Sequence, residues 1–366
     1  MAGKCNNHTN QCICDQGWTG STCQLINFGK ARTCIRGGLC LNNTQSKSST
    51  TGYKTTFTSS WGGGSVQDDQ GNWHMYAASF GNNKDLKSWL TDSRVVHGIS
   101  NTSASGPYVL SDIALGPRNA SKYWDGTTQH NPMIQRDPLT GKYLLYYMGN
   151  TNVVPDTPDY HICKKLVSNN VSSVCTQRIG LATSDSPFGP WSRNDTPILL
   201  PGLTPSWDDQ FTTNPTPHIF QNGSALLIYK ARSKENFHTM STGVAFAEHW
   251  SGPYKRLSMQ PIDVPGTCED AGIYHSKTMN VFRIVLHCEC NYQTIWSIDG
   301  IRWNRTALPQ DWCTIHNQDG STERMSRRER PKWILDSQNK LIGLMTGVFP
   351  TESHDQDSFT MFQDIL

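Results

Sequence analysis

Residues 124–147 read WDGTTQHNPMIQRDPLTGKYLLYY, and about eighty residues later residues 207–230 read WDDQFTTNPTPHIFQNGSALLIYK. Both copies open on Trp-Asp and place Asn-Pro at the same distance, as Asn131-Pro132 and Asn214-Pro215. Each continues into a short strand, a turn containing glycine, and a second apolar strand. Weaker echoes stand at 61–78 (WGGGSVQDDQGNWHMYAA), 269–287 (EDAGIYHSKTMNVFRIVLH) and 330–346 (RPKWILDSQNKLIGLMT). In each, a polar or small lead-in runs into paired strands of β-branched and aromatic character.

The later half of the unit repeats as well. An apolar strand is followed by Gly-Pro-aromatic or Asp-Gly-x-x-Trp, as in IGLATSDSPFGPW at 179–191, GVAFAEHWSGPY at 243–254 and TIWSIDGIRW at 294–303. A unit of four short strands repeating every fifty to eighty residues or so is the signature of a propeller blade. The expected fold is therefore all-β: a five-bladed β-propeller over 54–366, behind a linker at 26–53 and a small disulfide-rich module at 1–25. A large β-sandwich is the alternative, but sandwiches seldom repeat a whole four-strand unit.

With 366 residues and a net charge of +2, the chain has length for one large core and no basic face or run. Nucleic-acid partners and bulk membrane surfaces are accordingly not expected, no apolar run approaches a bilayer span, and a monomer is expected. Twelve Cys, and Asn-x-Ser/Thr sequons at Asn7, Asn42, Asn101, Asn119, Asn170, Asn194, Asn222 and Asn304, point to a secreted, N-glycosylated product. The start, MAGKC, reads as what a removed leader leaves behind. Twelve Trp mildly favour a carbohydrate partner, since exposed rings serve as platforms for the apolar faces of sugars.

Residues 5–23, CNNHTNQCICDQGWTGSTC, carry the run C-x-C-x8-C with Gly17, Trp18 and Gly20. This resembles the C-terminal half of an epidermal-growth-factor-like module. The resemblance implies Cys5–Cys12 and Cys14–Cys23 bridges, and a role as spacer or adhesive cap. So small a unit has too little core to fold without such staples. Local bridges are also expected for Cys34 with Cys40 and for Cys163 with Cys175. Cys268, Cys288, Cys290 and Cys313 would form two more whose pairing the sequence leaves open, and a metal held by Cys288 and Cys290 is the sharper alternative.

In a propeller the innermost strand of each blade lines the axis, so the residues that begin it face the channel mouth. Those residues are Trp61 with its glycines, His130-Asn131, Thr213-Asn214, Glu269-Asp270 and Glu329-Arg330. Chemistry is expected where they converge.

The five-unit rhythm, the strand pairs KYLLYY and ALLIYK, and IGLATSDSPFGPW resemble the five-bladed propeller glycosidases of glycoside hydrolase families 43, 62, 32, 68 and 117 over residues 55–366. The resemblance implies a carboxylate at the leading end of blades I, II and III. Here Gly62, Gly63 and Gly64, then His130-Asn131, then Asn214 occupy those places, so a ready-made triad does not carry over.

Glycoside hydrolysis needs one group to protonate the leaving oxygen and another to activate water or attack the anomeric carbon. Glu269 is the expected acid, since partial desolvation would raise its pKa. Asp208, or else Asp125, is the expected base, although Asp in a Trp-Asp loop also commonly accepts backbone hydrogen bonds. His130 is a further catalytic candidate. Asn131, Asn214, Asp270 and Glu329 are expected to meet sugar hydroxyls, Trp61, Trp124 and Trp207 to stack on sugar faces, and Arg330 to clamp an anionic group.

The resulting expectation is a secreted glycosidase acting on a polysaccharide or glycan, an anionic one by the hint of Arg330. It needs no cofactor and no catalytic metal, with allowance for a structural ion in the channel. A glycan-binding, lectin-like propeller is the first alternative. The second is a polysaccharide lyase that uses His130 and an arginine.

Overall fold

The structure, a computed structural model, describes residues 3–6, 11–32, 59–81, 84, 86–151, 177–235, 239–264, 268–306, 310–317, 320–350 and 358–366. The bridges expected for Cys34 with Cys40 and for Cys163 with Cys175 lie outside the described residues. So do most of the linker and the sequons at Asn7, Asn42 and Asn170.

Five antiparallel sheets follow one another along the chain, and those of blades I to III pair their strands in sequence order. Blade I comprises Ser60–Gln67, Trp73–Phe80, Ser93–Ser100 and Val109–Leu115. Blade II comprises Thr128–Arg136, Tyr143–Asn150, Arg178–Ser184 and Ser192–Arg193. Blade III comprises Phe211–Ile219, Ala225–Arg232, Ser241–Ala247 and Lys255–Arg256. Blade IV runs from Cys268–Ser276 through Val281–Cys288 and Asn291–Ser297 to Asn304–Arg305. Blade V contains Thr322–Leu335, Leu341–Pro350 and Phe359–Ile365.

Period-two alternation explains how the blades stack. On the second strand of blade II, Leu144 and Tyr146 pack against Leu227 and Tyr229 of blade III. The intervening Leu145 and Tyr147 pack against Tyr76 and Val95 of blade I. A strand buried on both faces needs an unbroken apolar run, and YLLYYMGN is buried at every position. Apolar layers of the same kind separate blades III and IV, IV and V, and V and I. The sheets are thus held face to face around the axis by hydrophobic burial.

One feature of the N-terminal region departs from expectation. Phe28–Arg32, placed in the linker by the sequence, pairs with Phe359–Ile365 and is the outermost strand of blade V. The small module, with its Cys5–Cys12 and Cys14–Cys23 bridges, is docked on the propeller. Trp18 is buried, its Nε1 donates to Tyr274 Oη at 2.8 Å, and the Arg283 guanidinium lies 4.6 Å above its ring. Trp18, Cys23 and Ile26 belong to the apolar layer between blades IV and V.

The four cysteines of that region form Cys268–Cys288 and Cys290–Cys313. Both thiols proposed for a metal are therefore oxidised. Among the described residues no helix is long and apolar enough to cross a membrane.

Candidate functional site

All five inner strands break register at the same place. The ladder with the second strand skips between Trp61 and Gly64, His130 and Met133, Thr213 and Thr216, Glu269 and Gly272, and Glu329 and Lys332. One residue of each bulge is left-handed: Gly62 (φ 58°), Asn131 (48°), Asn214 (50°), Asp270 (58°) and Arg330 (59°). Glycine and Asn or Asp accept this region readily, whereas Arg330 is there at a cost of about 1–3 kcal/mol.

Their side chains meet on the axis and form a floor. Asn131 Nδ2 donates to Asn214 Oδ1 at 2.6 Å, Asn214 Nδ2 donates to Asp270 Oδ1, and Arg330 is ion-paired with Asp270 Oδ2. Blade I contributes no side chain at Gly62, and there is little room for one. A Cβ on Gly62 would stand 3.1 Å from the Cβ of Arg330, whose stem fills that sector. Burial opposes charge on Asp270, but Arg330 and then Lys230 outweigh it and hold the carboxyl below its usual range.

The residues preceding the left-handed positions, Trp61, His130, Thr213, Glu269 and Glu329, ring the mouth above this floor. Two side chains from second strands join them because they stand directly across the ladder: Lys230 opposite Thr213 and His287 opposite Glu269. Lys230 is ion-paired with Glu269. His287 bridges the two carboxylates, with Nε2 3.4 Å from Glu269 Oε1 and Nδ1 3.3 Å from Asp270 Oδ2. Burial raises the Glu269 pKa, yet Lys230, then His287 and Arg330, hold it far below the ordinary carboxylate range. The Glu269 shift thus runs opposite to the raised pKa that the sequence suggested for a proton donor, and favours the ionised carboxylate.

Arg327 Nη2 pairs with Glu329 Oε1 at 2.6 Å. Beside this pair, between blades I and V, opens a cavity of about 330 Å³ lined by Trp61, Trp89, His130, Glu329 and Phe349 among others.

Donor atoms of Glu269, Asp270 and His287 lie within 4.8 Å of one another, a spacing that suits a metal ion. Lys230 and Arg330 already balance both carboxylates, so a divalent ion would have to displace them.

Several expected site residues lie elsewhere. Asp125 is fully buried behind the inner strand of blade II, bonded to Arg118 Nε (2.6 Å), Tyr147 Oη (2.7 Å) and Arg193 Nη1 (3.4 Å). Asp208 repeats the arrangement in blade III, with Arg256 Nε at 2.6 Å and Tyr229 Oη at 2.9 Å. Neither faces the mouth, so neither is placed to act as a base. Trp124 and Trp207 stack on Tyr147 and Tyr229, with ring centroids 5.9 and 5.8 Å apart, as packing and not as sugar platforms. Trp61 lies at the mouth but is 1% exposed. Arg330 is committed to Asp270 and is not free to clamp an anion.

No sequence motif marks Lys230 or His287 as a residue of the mouth. Aligning the ends of the second strands, Met148, Lys230 and His287, would have drawn attention to both. A larger cavity of about 710 Å³ opens at the opposite end of the channel. Its prominent charges are paired locally, Arg136 with Asp69 and Asp68 with His74.

Residues 1–23 match the sequence profile of the EGF-like domain. No curated protein sequence matches the chain. Among solved structures, Zg3597, a family 117 glycoside hydrolase from Zobellia galactanivorans, superposes with a TM-score of 0.63 at 16% identity, covering 92% of this chain and 90% of that one. The fold is that of the five-bladed glycoside hydrolase propellers. The α-L-arabinofuranosidase PaAbf62A from Podospora anserina gives 0.56 at 11% identity over 92% and 96% of the two chains. A thermostable family-43 glycoside hydrolase gives 0.53 at 13% over 84% and 88%.

Proposed function

We propose that the chain is an extracellular glycosidase that cleaves a glycan at the channel mouth. The observation that carries this reading is the contact of His287 with Glu269 and Asp270 beside a closed polar floor, with Glu329 at the equivalent position of the next blade, on a fold whose neighbours are glycoside hydrolases. With Glu269 held toward its ionised form, the proton for the leaving oxygen comes from His287, whose Nδ1 lies 3.3 Å from Asp270 Oδ2. His287 Nε2 gives up its proton as the glycosidic C–O bond breaks.

Glu269 lies too close to His287 to act from the other side of the sugar, where the separation between the two groups runs from about 5 to 9.5 Å. We assign the proton of the attacking water to Glu329, which holds the equivalent position on the next blade and is paired with Arg327. Glu269 and Lys230 hold substrate hydroxyls. The disulfide-stapled EGF-like module fits an extracellular setting.

A lectin-like reading is favoured by the empty blade I position at Gly62. A lyase reading loses its arginine, because Arg330 is spent on Asp270, and an anionic sugar loses the same clamp. The test is a panel of neutral and acidic polysaccharides, scored for new reducing ends and for unsaturated-uronate absorbance. Reducing ends without absorbance support the glycosidase, absorbance supports the lyase, and binding without product supports the lectin.

A further inference from the structure

The cavity beside the mouth ends on His130, and hydrogen-bond counting fixes which nitrogen of that ring carries its proton. Ser93 Oγ lies 3.0 Å from the Gln129 carbonyl and 2.8 Å from His130 Nδ1. A carbonyl has no proton to give, so the single hydroxyl proton of Ser93 must point at Gln129. Ser93 Oγ can then only accept from the ring, which requires Nδ1–H on His130. Nε2 is left with a bare lone pair. Burial, and after it the positive charge of Arg330, push the His130 pKa well below its ordinary value, so the ring stays neutral.

The geometry points to His130 Nε2 as a specificity-determining acceptor in a subsite that receives one neutral, hydroxyl-bearing sugar unit. This deepens the glycan reading above and rests on it. The lone pair accepts a sugar hydroxyl but repels the oxygens of a carboxylate or sulfate, which have no proton to offer. Of the cations on the cavity walls, Arg327 is paired with Glu329 and Arg330 with Asp270, and Lys87 is exposed at the rim. About 330 Å³ stands near the lower limit of ligand pockets, roughly 300–1,000 Å³, and holds a single unit better than a chain segment. Trp61, Trp89 and Phe349 supply the apolar walls against which a sugar face packs. A buried acceptor left unpaired is costly, so a sugar lacking the matching hydroxyl is rejected strongly.

The experiment is NMR of the full chain carrying ring-15N histidine, with methyl glycosides of L-arabinofuranose, D-galactose and D-glucuronate as probes. The His130 ring is expected to show a protonated Nδ1 and a bare Nε2 from pH 5 to 8. The Nε2 signal should shift on adding a neutral glycoside and stay still with the glucuronide. On a cleaved polysaccharide, His130→Phe is expected to raise KM at least tenfold with a smaller fall in kcat. His130→Gln, whose amide oxygen can accept, should recover part of that loss.

An Nε2–H ring, a glucuronide bound as tightly as the neutral sugars, or polysaccharide cleavage with Nε2 unperturbed by any neutral glycoside would each overturn the proposal. Neutral glycosides that move Nε2 in a protein that cleaves nothing would instead uphold the subsite and overturn the hydrolase.

Discussion

Asn131 Nδ2 and Asn214 Oδ1 lie 2.6 Å apart on the propeller axis, although 83 residues separate them in the chain. Asn214 also donates to Asp270, so one amide ties three blades together. Asn214→Ala leaves a buried carboxylate oxygen and a buried amide without partners, at about 1–3 kcal/mol. The methyl side chain also disfavours the left-handed backbone by roughly 1–2 kcal/mol. Asn214→Gly incurs the first loss without the second. Urea titration should therefore rank stability as native, then Gly, then Ala.

Asp208 is expected to matter for stability and not for chemistry. Its buried carboxylate accepts from Arg256, which is partly exposed, and from the buried Tyr229 hydroxyl, which loses its partner at about 1–3 kcal/mol. Asp208→Ala should lower the unfolding midpoint substantially while the folded fraction keeps its glycan activity. A soluble, stable and inactive Asp208→Ala would restore Asp208 as the base.

Lys332 sits on the inner strand of blade V below the floor, donating to Thr216 Oγ1 and to the Ala271 carbonyl, and burial pushes its pKa down to about 7. The unfolded chain keeps this proton up to an ordinary lysine pKa of about 10.4. Between those values the unfolded state binds more protons, so this group makes stability rise with pH across the window. The penalty is full below pH 7. Lys332→Met should flatten the stability profile between pH 7 and 9, as measured by urea unfolding at several pH values.

Docking of the small module should be part of global stability. Trp18 packs on Tyr274 and Trp333 in a core shared with blades IV and V. Trp18→Ala should cost about 3–5 kcal/mol and lower the temperature of one common unfolding transition. A separate, early transition for the module would show instead that it folds apart from the propeller.

The two copies of Trp-Asp…Asn-Pro, with three weaker echoes, were enough to place five inner strands and to find the ring of residues that begins them. That succeeded because a bulge requiring a left-handed residue leaves a visible mark, Gly, Asn, Asn, Asp, at four of five equivalent positions. The directions of side chains were less legible. Asp125 and Asp208 stand one residue after their Trp on loops whose course the sequence does not state, and the arginines that bind them come from outer strands (Arg193, Arg256) and from a loop (Arg118). Lys230 and His287 reach the mouth only through cross-strand register, a long-range property. Phe28–Arg32 reads as a polar linker because its pairing partner lies at the far end of the chain.

The central claim is that His287 and Glu329 perform proton transfer at the mouth. The most direct measurement is the rate of reducing-end release from the best polysaccharide by the native chain, His287→Gln and Glu329→Gln, with folding checked by circular dichroism. Loss of one general acid or base should lower kcat by about 10²–10⁴ in each variant. Rates unchanged in both folded variants, or no release by the native chain from any polysaccharide it binds, would contradict the account.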